Sequence, residues 1–498
     1  MIETLDLNDI ASYRRFLKIK SLPVYSFSGR QACYPDEYAY AVGSDCYGLQ
    51  ESQHEPSLFL YDYQAGIVRI ATRKRKYAVF ADCGLGKTLI LLDFALAAKR
   101  DMATVGRRVL IVSPLMVVDQ TMSEADRWYG DAELRLQRVR SSRLQEWLDA
   151  PDDGTVGITN YDALHDDITQ GNLGGLILDE SSMLKSHYGA WGQKCIELGR
   201  GLKWKLCCTG TPAPNDRIEY ANHAVFLDHY PTVNAFLARF FVNRGQTDNR
   251  WELKPHALGP FYRALSHWCL FLTNPATYGW RDNCDTLPPI NVHVHDVPMT
   301  AQQLDIVRRM TGKLIVTSLG GIATRSKLGQ IAKGSHGGEE VETNKFRFIR
   351  DLVDGFSGES TIIWCHYNDE QDRVAAEFPD AANIDGSTPH DKRVELIADF
   401  KAGRRKVLIS KPRILGFGLN LQIATSQVFS GLQDSYEEYY QAVKRSNRIG
   451  STKPLNVHIP VTEIERPMIE TVLAKADRVA ADTAEQERIF KEAATVAF

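Results

Sequence analysis

The stretch Tyr77-Ala78-Val79-Phe80-Ala81-Asp82-Cys83-Gly84-Leu85-Gly86-Lys87-Thr88 decides how the rest of the chain is read. Tyr77–Phe80 has the pattern of a short apolar strand, and residues 88–98 carry helical periodicity. Between them Gly84, Leu85 and Gly86 form a turn in which backbone N–H groups can point inward around an anion at a helix N-terminus. Lys87 is placed to neutralise the β- and γ-phosphates of a nucleotide, and the Thr88 hydroxyl to hold Mg²⁺. Ala81 stands where such loops usually begin with glycine, a small replacement that the turn tolerates.

The flanking sequence agrees with this reading. Gln64 precedes the loop by about twenty residues, and its amide can meet both the donor and the acceptor on an adenine edge. Leu176-Ile177-Leu178 is an apolar strand ending in Asp179-Glu180. The first carboxylate suits a Mg²⁺ contact and the second the orientation of an attacking water. Leu206-Cys207-Cys208 runs into Thr209-Gly210-Thr211-Pro212, where the Thr209 and Thr211 hydroxyls can relay the state of the γ-phosphate.

Short β-branched runs alternate with helical patterns through most of the chain, which predicts parallel α/β sheets. One set of strands is expected at 77–80, 109–112, 156–159, 175–178 and 206–209. A second is expected at 360–365, 382–384, 406–409, 426–429 and 455–459. Two sets imply two doubly wound lobes. The expected division is an accessory segment over 1–55, a first lobe over 56–285 with a helical insertion from about 213, a helical linker over 286–345, a second lobe over 346–475, and a C-terminal helix over 476–498. Gly334-Ser335-His336-Gly337-Gly338 predicts an exposed turn.

Composition excludes several classes. A net charge of −3 from 59 basic and 62 acidic residues provides no global field toward nucleic acid, so such contacts must be local. The densest basic run, Arg73-Lys74-Arg75-Lys76, suits a solvated loop as well as a nucleic-acid patch. Nine cysteines without a C-x-x-C pair argue against a zinc module and fit reduced thiols in a cytoplasmic protein. The first residues lack a signal-peptide profile, and no apolar run is long enough to cross a bilayer, so no membrane partner is expected.

With these motifs in order, the chain resembles the superfamily-two helicase-like ATPases, in particular the SWI/SNF-related branch and its compact phage and prophage helicases. The resemblance covers roughly residues 56–475. It rests on Gln64, residues 81–88, Ser113-Pro114-Leu115, Thr159-Asn160-Tyr161, Asp179-Glu180-Ser181-Ser182 with Lys185, and Thr209-Gly210-Thr211-Pro212 with Asn215. In the second half it rests on Asp385-Gly386-Ser387-Thr388 with Arg393, residues 416–421, and residues 441–450.

The resemblance implies tandem RecA-like lobes, ATP and Mg²⁺ as cofactors, and ATP-dependent translocation on duplex or forked DNA in a host cytoplasm. Gln441, Arg445 and Arg448 would supply catalytic groups from the second lobe, the arginines as fingers. Gly418 and Asn420 would border the nucleotide. Ser113, Pro114, Thr159, Asn160, His366, Tyr367 and Arg413 would hold a strand by its phosphates, independently of sequence. Replication, recombination or modification proteins are the expected partners. A nucleotide-switched DNA-binding scaffold and an RNA helicase are the competing readings. Glu180, Arg445 and Arg448 speak against the first, and the motif variants favour DNA over RNA. Two departures stand out. Relatives commonly carry Ala-His after the acidic pair, where this chain has Ser181-Ser182. The box before Asn420 begins Lys411-Pro412-Arg413-Ile414-Leu415.

Overall fold

A computed structural model gives the architecture. It describes all residues except 1, 7, 23–24, 36–37, 44–52, 102–103, 186–188, 214–215, 246–250, 282–286, 312–321, 416–419, 433–434, 449–450 and 495–498. The chain forms two compact units. One comprises Met1–Asn283 with Asp482–Phe498, and the other Cys284–Ala481.

The first unit is built on a seven-stranded, wholly parallel sheet. Its spatial order is Cys269–Leu272, Lys76–Ala81, Trp204–Thr209, Leu173–Asp179, Arg108–Ser113, Val156–Asn160, Leu136–Arg138. Val109–Val112 and Leu176–Leu178 are fully buried, which is why they read as unbroken apolar runs rather than alternating ones. Helices such as Lys87–Arg100 fill the crossovers between parallel strands. Beside the sheet, helices Val233–Phe240 and Leu258–Leu265 contribute an aromatic cluster of Phe236, Phe240 and Phe261, with edge-to-face contacts reaching Tyr220. The N-terminal segment is a small antiparallel sheet of Ile2–Thr4, Gln31–Cys33 and Ser26–Ser28 with the helix Ile10–Lys20. It is tied down by the Cys33 thiol donating to the Asp228 carbonyl and by Arg239 donating to the Tyr25 carbonyl.

The second unit holds a six-stranded parallel sheet in the order Ile290–Asp296, Leu455–Val461, Ser426–Phe429, Thr361–Trp364, Val407–Ser410, Ala382–Asn383. Lys345 on the helix Lys345–Asp354 is fully buried, pairs with Glu465 and donates to the Ser430 carbonyl at 2.7 Å. That pair anchors the helix to the segments following two central strands. The expected turn at 334–338 closes a hairpin of Ser335–His336 and Glu339–Glu340, with Gly337 and Gly338 both at positive φ.

The ten expected strands are all present, within a residue or two of their expected ends. The mainly helical stretch 213–345 also supplies one strand to each sheet, Cys269–Leu272 and Ile290–Asp296. Arg75 and Lys76 of the basic run serve the fold. Arg75 ends the helix Asp62–Lys74 at φ 61° and pairs with Asp101, while Lys76 pairs with Asp228. The C-terminal helix, Arg466–Ala494, begins with Ile469 and Val472 in the core of the second unit. Its last residues, from Asp482, belong to the first unit, where Ile489 joins the main core. No helix among the described residues is long and apolar enough to cross a membrane.

Candidate active site

Three adjoining parallel strands, Lys76–Ala81, Trp204–Thr209 and Leu173–Asp179, deliver their C-terminal ends to one edge of the first sheet. The phosphate loop leaves the first, Thr209-Gly210-Thr211 the second and Asp179-Glu180 the third. Open α/β sheets bind ligands outside the carboxyl ends of their strands.

Gly84 and Gly86 lie at φ 92° and 67°, and Gly86 is the N-cap of the helix Lys87–Arg100. Thr88 therefore sits in its first turn, where N–H groups lack helical partners. Lys87 Nζ donates to the carbonyls of Ala81 at 2.7 Å and Asp82 at 3.2 Å, holding the ammonium inside the loop. A Cβ on Gly210 would stand 3.3 Å from the Ala81 carbonyl, a tight approach, and 3.5 Å from that nitrogen, so the turn passes close beside the loop. Gln64 is buried against the same loop. Its Oε1 accepts from the Tyr61 N–H at 2.9 Å, and its Nε2 donates to the Leu85 carbonyl at 3.4 Å. Its amide thus closes the loop from behind, and reading an adenine edge requires those bonds to open.

Asp179 is 6% exposed, accepts from Ser113 Oγ at 2.9 Å, and is pushed up to about 6 by burial and then by the neighbouring charge of Glu180. Glu180 Oε1 accepts from Thr209 Oγ1 at 2.7 Å and from Ser182 Oγ at 3.3 Å. Thr209 Oγ1 in turn accepts from the Thr211 N–H at 3.1 Å. Glu180 is therefore aimed by hydroxyls from two sides. Thr88 and Asp179 offer the hard oxygen donors that Mg²⁺ prefers. The described residues hold no cluster of three metal-ligating side chains.

Several expected strand contacts are turned inward. Ser113 is fully buried on Asp179, and Thr159 is buried with its hydroxyl on the Val139 carbonyl at 2.8 Å. Neither hydroxyl faces solvent in this structure, because strand alternation sends both side chains into the sheet's packed layers. Pro114 N-caps the helix Leu115–Trp128, and Asn160 Oδ1 caps the turn Tyr161–Ala163.

In the second unit Gln441 lies on the helix Tyr436–Val443 with its amide near Glu437, and Arg445 and Arg448 follow in the turn after it. Arg445 is 8% exposed and its carbonyl accepts from the Leu421 N–H. Lys401 is held below the usual lysine range by burial and then by the charge of Arg448. Asn420 Nδ2 donates to Gln422 Oε1, and Gly418 lies outside the described residues, as does Asn215. His366 and Tyr367 follow the strand Thr361–Trp364, and His366 is pushed down to about 3 by burial and then by Lys333, Arg413 and Lys411. Arg413 is exposed and paired with Glu438 at 2.7 Å.

The matches to known proteins fit this geometry. Residues 68–352 match the SNF2-related domain and residues 344–450 the helicase conserved C-terminal domain, so the chain belongs to the SNF2-related family of helicase-like ATPases. Its two parallel sheets are the RecA-like lobes of that family. The chain is 24% identical over 443 residues to protein p41 of Acyrthosiphon pisum secondary endosymbiont phage 1, covering 80% of this chain and 91% of that protein. It is 24% identical to the ISWI chromatin-remodeling complex ATPase ISW2 of Saccharomyces cerevisiae, covering 84% of this chain and 40% of that one. The same identity links it to the DNA annealing helicase and endonuclease ZRANB3 of Bos taurus, with 80% and 38% covered. The chain thus spans nearly all of the phage protein and about two fifths of the two larger ones.

The sequence reading missed the Ser113–Asp179 bond, the Ser182–Glu180 bond and the Tyr161 hydroxyl that donates to the Asp179 carbonyl at 2.7 Å. All three residues lie in the quoted motifs. The pairing of strand 108–113 with 173–179 brings Ser113 to Asp179, its pairing with 156–160 brings Tyr161 near, and the turn after Glu180 folds Ser182 back onto it.

Proposed function

We propose that this chain is a DNA-stimulated ATPase that turns hydrolysis of ATP to ADP and phosphate into movement along DNA. The observation that carries the reading is the shared sheet edge, where the phosphate loop, the acidic pair and Thr209 meet with Glu180 already aimed by two hydroxyls. On binding ATP, Lys87 exchanges the carbonyls of Ala81 and Asp82 for phosphate oxygens, and the N–H groups of the loop take up the rest of that charge. Thr88 and Asp179 would hold Mg²⁺, which supplies charge neutralisation at the phosphates. Glu180 orients the attacking water and accepts its proton. Arg445 and Arg448 bring permanent positive charge to the phosphoryl group, and Gln441 positions it. Thr209 and Thr211 carry the result toward the nucleic-acid contacts, with Asn160 in the first unit and His366, Tyr367 and Arg413 in the second each holding phosphates without reading bases. Arg413 exchanges Glu438 for a phosphate there.

DNA rather than RNA is favoured by the likeness to a DNA annealing helicase and by the motif variants. The test is phosphate release with duplex DNA, single-stranded DNA and RNA, beside displacement of a third strand from a triplex. Duplex-stimulated release with triplex displacement is expected. Stimulation by RNA alone would make the chain an RNA helicase. Nucleotide binding without turnover would leave a switch and no motor.

A further inference from the structure

Glu180 is one of four non-glycine residues at positive φ among those described, at φ 50° and ψ 53°, and it opens the short turn Ser181–Leu184. A non-glycine residue in the left-handed region costs free energy and persists where the surroundings hold it. Those surroundings come from the helix Tyr220–Phe226, which follows Thr209–Pro212 in sequence. Asn222 Nδ2 donates to the Leu184 carbonyl at 2.6 Å, gripping the end of the turn. His223 Nε2 lies 3.1 Å from Ser181 Oγ, gripping its start.

His223 is fully buried, stands edge-on to Phe80, and has Nδ1 3.4 Å from the Glu219 carbonyl. A carbonyl only accepts, so Nδ1 carries the proton. In that tautomer Nε2 is free to accept from the Ser181 hydroxyl, 3.1 Å away. A leucine would fill this apolar site without the cost of burying an imidazole. The first residue of the same helix is fastened as well. Tyr220 Oη accepts from Gln486 Nε2 at 3.2 Å, and Arg217, in the preceding turn, pairs with Asp482. Both partners lie on the last part of the C-terminal helix.

We infer that His223 and Asn222 are positioning residues for Glu180, and that the helix Tyr220–Phe226 is the lever through which the C-terminal helix sets that carboxylate. The inference rests on the catalytic reading of Glu180 given above. The acidic box lacks a histidine of its own, and here an imidazole reaches it from another element, through Ser181. Moving this lever turns the backbone of Glu180 without touching nucleotide or Mg²⁺. Its loss therefore lowers turnover and leaves ATP binding alone.

The experiment compares full-length His223→Leu, His223→Gln and Ser181→Ala with the unmodified chain. Its readouts are kcat and KM for ATP under DNA stimulation, together with Tm. His223→Leu is expected to match or exceed the parent Tm and to keep KM within twofold while kcat falls at least tenfold. His223→Gln, whose amide can still accept from Ser181, is expected to recover most of the loss. Gln486→Leu is expected to give a smaller fall that does not add to that of His223→Leu. Turnover of His223→Leu within twofold of the parent would overturn the inference, as would a loss shared by KM and Tm. Should His223→Leu fail to fold, Ser181→Ala decides alone by the same criteria. An unmodified chain with no DNA-stimulated phosphate release would overturn the catalytic reading and this one together. An active parent with an equally active His223→Leu would overturn only this one.

Discussion

Glu180 is held by Thr209 at 2.7 Å and Ser182 at 3.3 Å, and the two bonds are unequal. Hydrogen bonds to a charged group contribute about 1.5–3 kcal/mol. Thr209→Ala is therefore expected to lower DNA-stimulated kcat by roughly ten- to a hundredfold, and Ser182→Ala by less. Steady-state phosphate release measures both, and equal effects would show that distance does not rank the two contacts. Glu180→Gln keeps the size and loses the base. It is expected to bind ATP normally and turn over at least about a hundredfold more slowly. Arg448→Ala is expected to cut turnover about a thousandfold, with nucleotide affinity changed only several-fold. A large affinity loss with normal turnover would remove Arg448 from the finger role. At this scale the residue types of the site were legible, because glycine, lysine and a carboxylate pair in that order have a shared chemical reason. Their partners were not. Ser113 and Thr159 sit in motifs expected to face a nucleic-acid strand, yet a side chain's direction depends on which sheet face its position takes, and an unbroken apolar run such as 109–112 hides that phase.

At the scale of elements, strands buried on both faces announce themselves as β-branched runs, and all ten such runs were legible. Leu136–Arg138, Cys269–Leu272 and Ile290–Asp296 escaped. All three are sheet edges, paired on one side only, and the last interleaves valines with exposed polar residues instead of forming an unbroken apolar run. The buried pair of Lys345 and Glu465 was equally invisible, since 120 residues separate its members. Both side chains are fully buried, and removing Lys345 leaves Glu465 to the more distant Lys333, 3.7 Å away. Lys345→Ala is expected to destabilise the second unit by up to about 3–5 kcal/mol in denaturant titrations, the loss being smaller as Lys333 takes over the charge. A change under about 1 kcal/mol would mean that water reaches the site.

For the whole molecule, acid is a specific threat. Burial pushes His223 down to about 4 and, with nearby cations, His366 down to about 3. A histidine whose folded pKa lies below its unfolded value of about 6.5 leaves the unfolded chain binding more protons. The histidine contribution is then lost as pH falls from about 6.5 toward 4, on the order of 3 kcal/mol for His223 alone, while Asp179, pushed up to about 6, works in the opposite sense over the same window. Melting temperatures of His223→Leu should therefore fall less across that window than those of the parent, changing the slope. An unchanged slope would place the acid sensitivity elsewhere. The C-terminal helix makes a second prediction at this scale. Ile489 is 8% exposed in the core of the first unit, Glu487 accepts from the Thr273 N–H and hydroxyl, and Gln486 donates to Tyr220. Ile489→Asp is therefore expected to lower the melting temperature of the full-length protein by several degrees, although it alters no nucleotide motif.

That placement has a consequence for how the polypeptide matures. A ribosome releases residues 1–283 long before it makes residues 482–494, yet Ile489 of the latter is part of the former's main core. The half that emerges first is the half completed last. Until translation reaches residues 482–494, the first unit lacks Ile489 from its core, and a message cut short before them yields a chain with every nucleotide motif and an incomplete first unit.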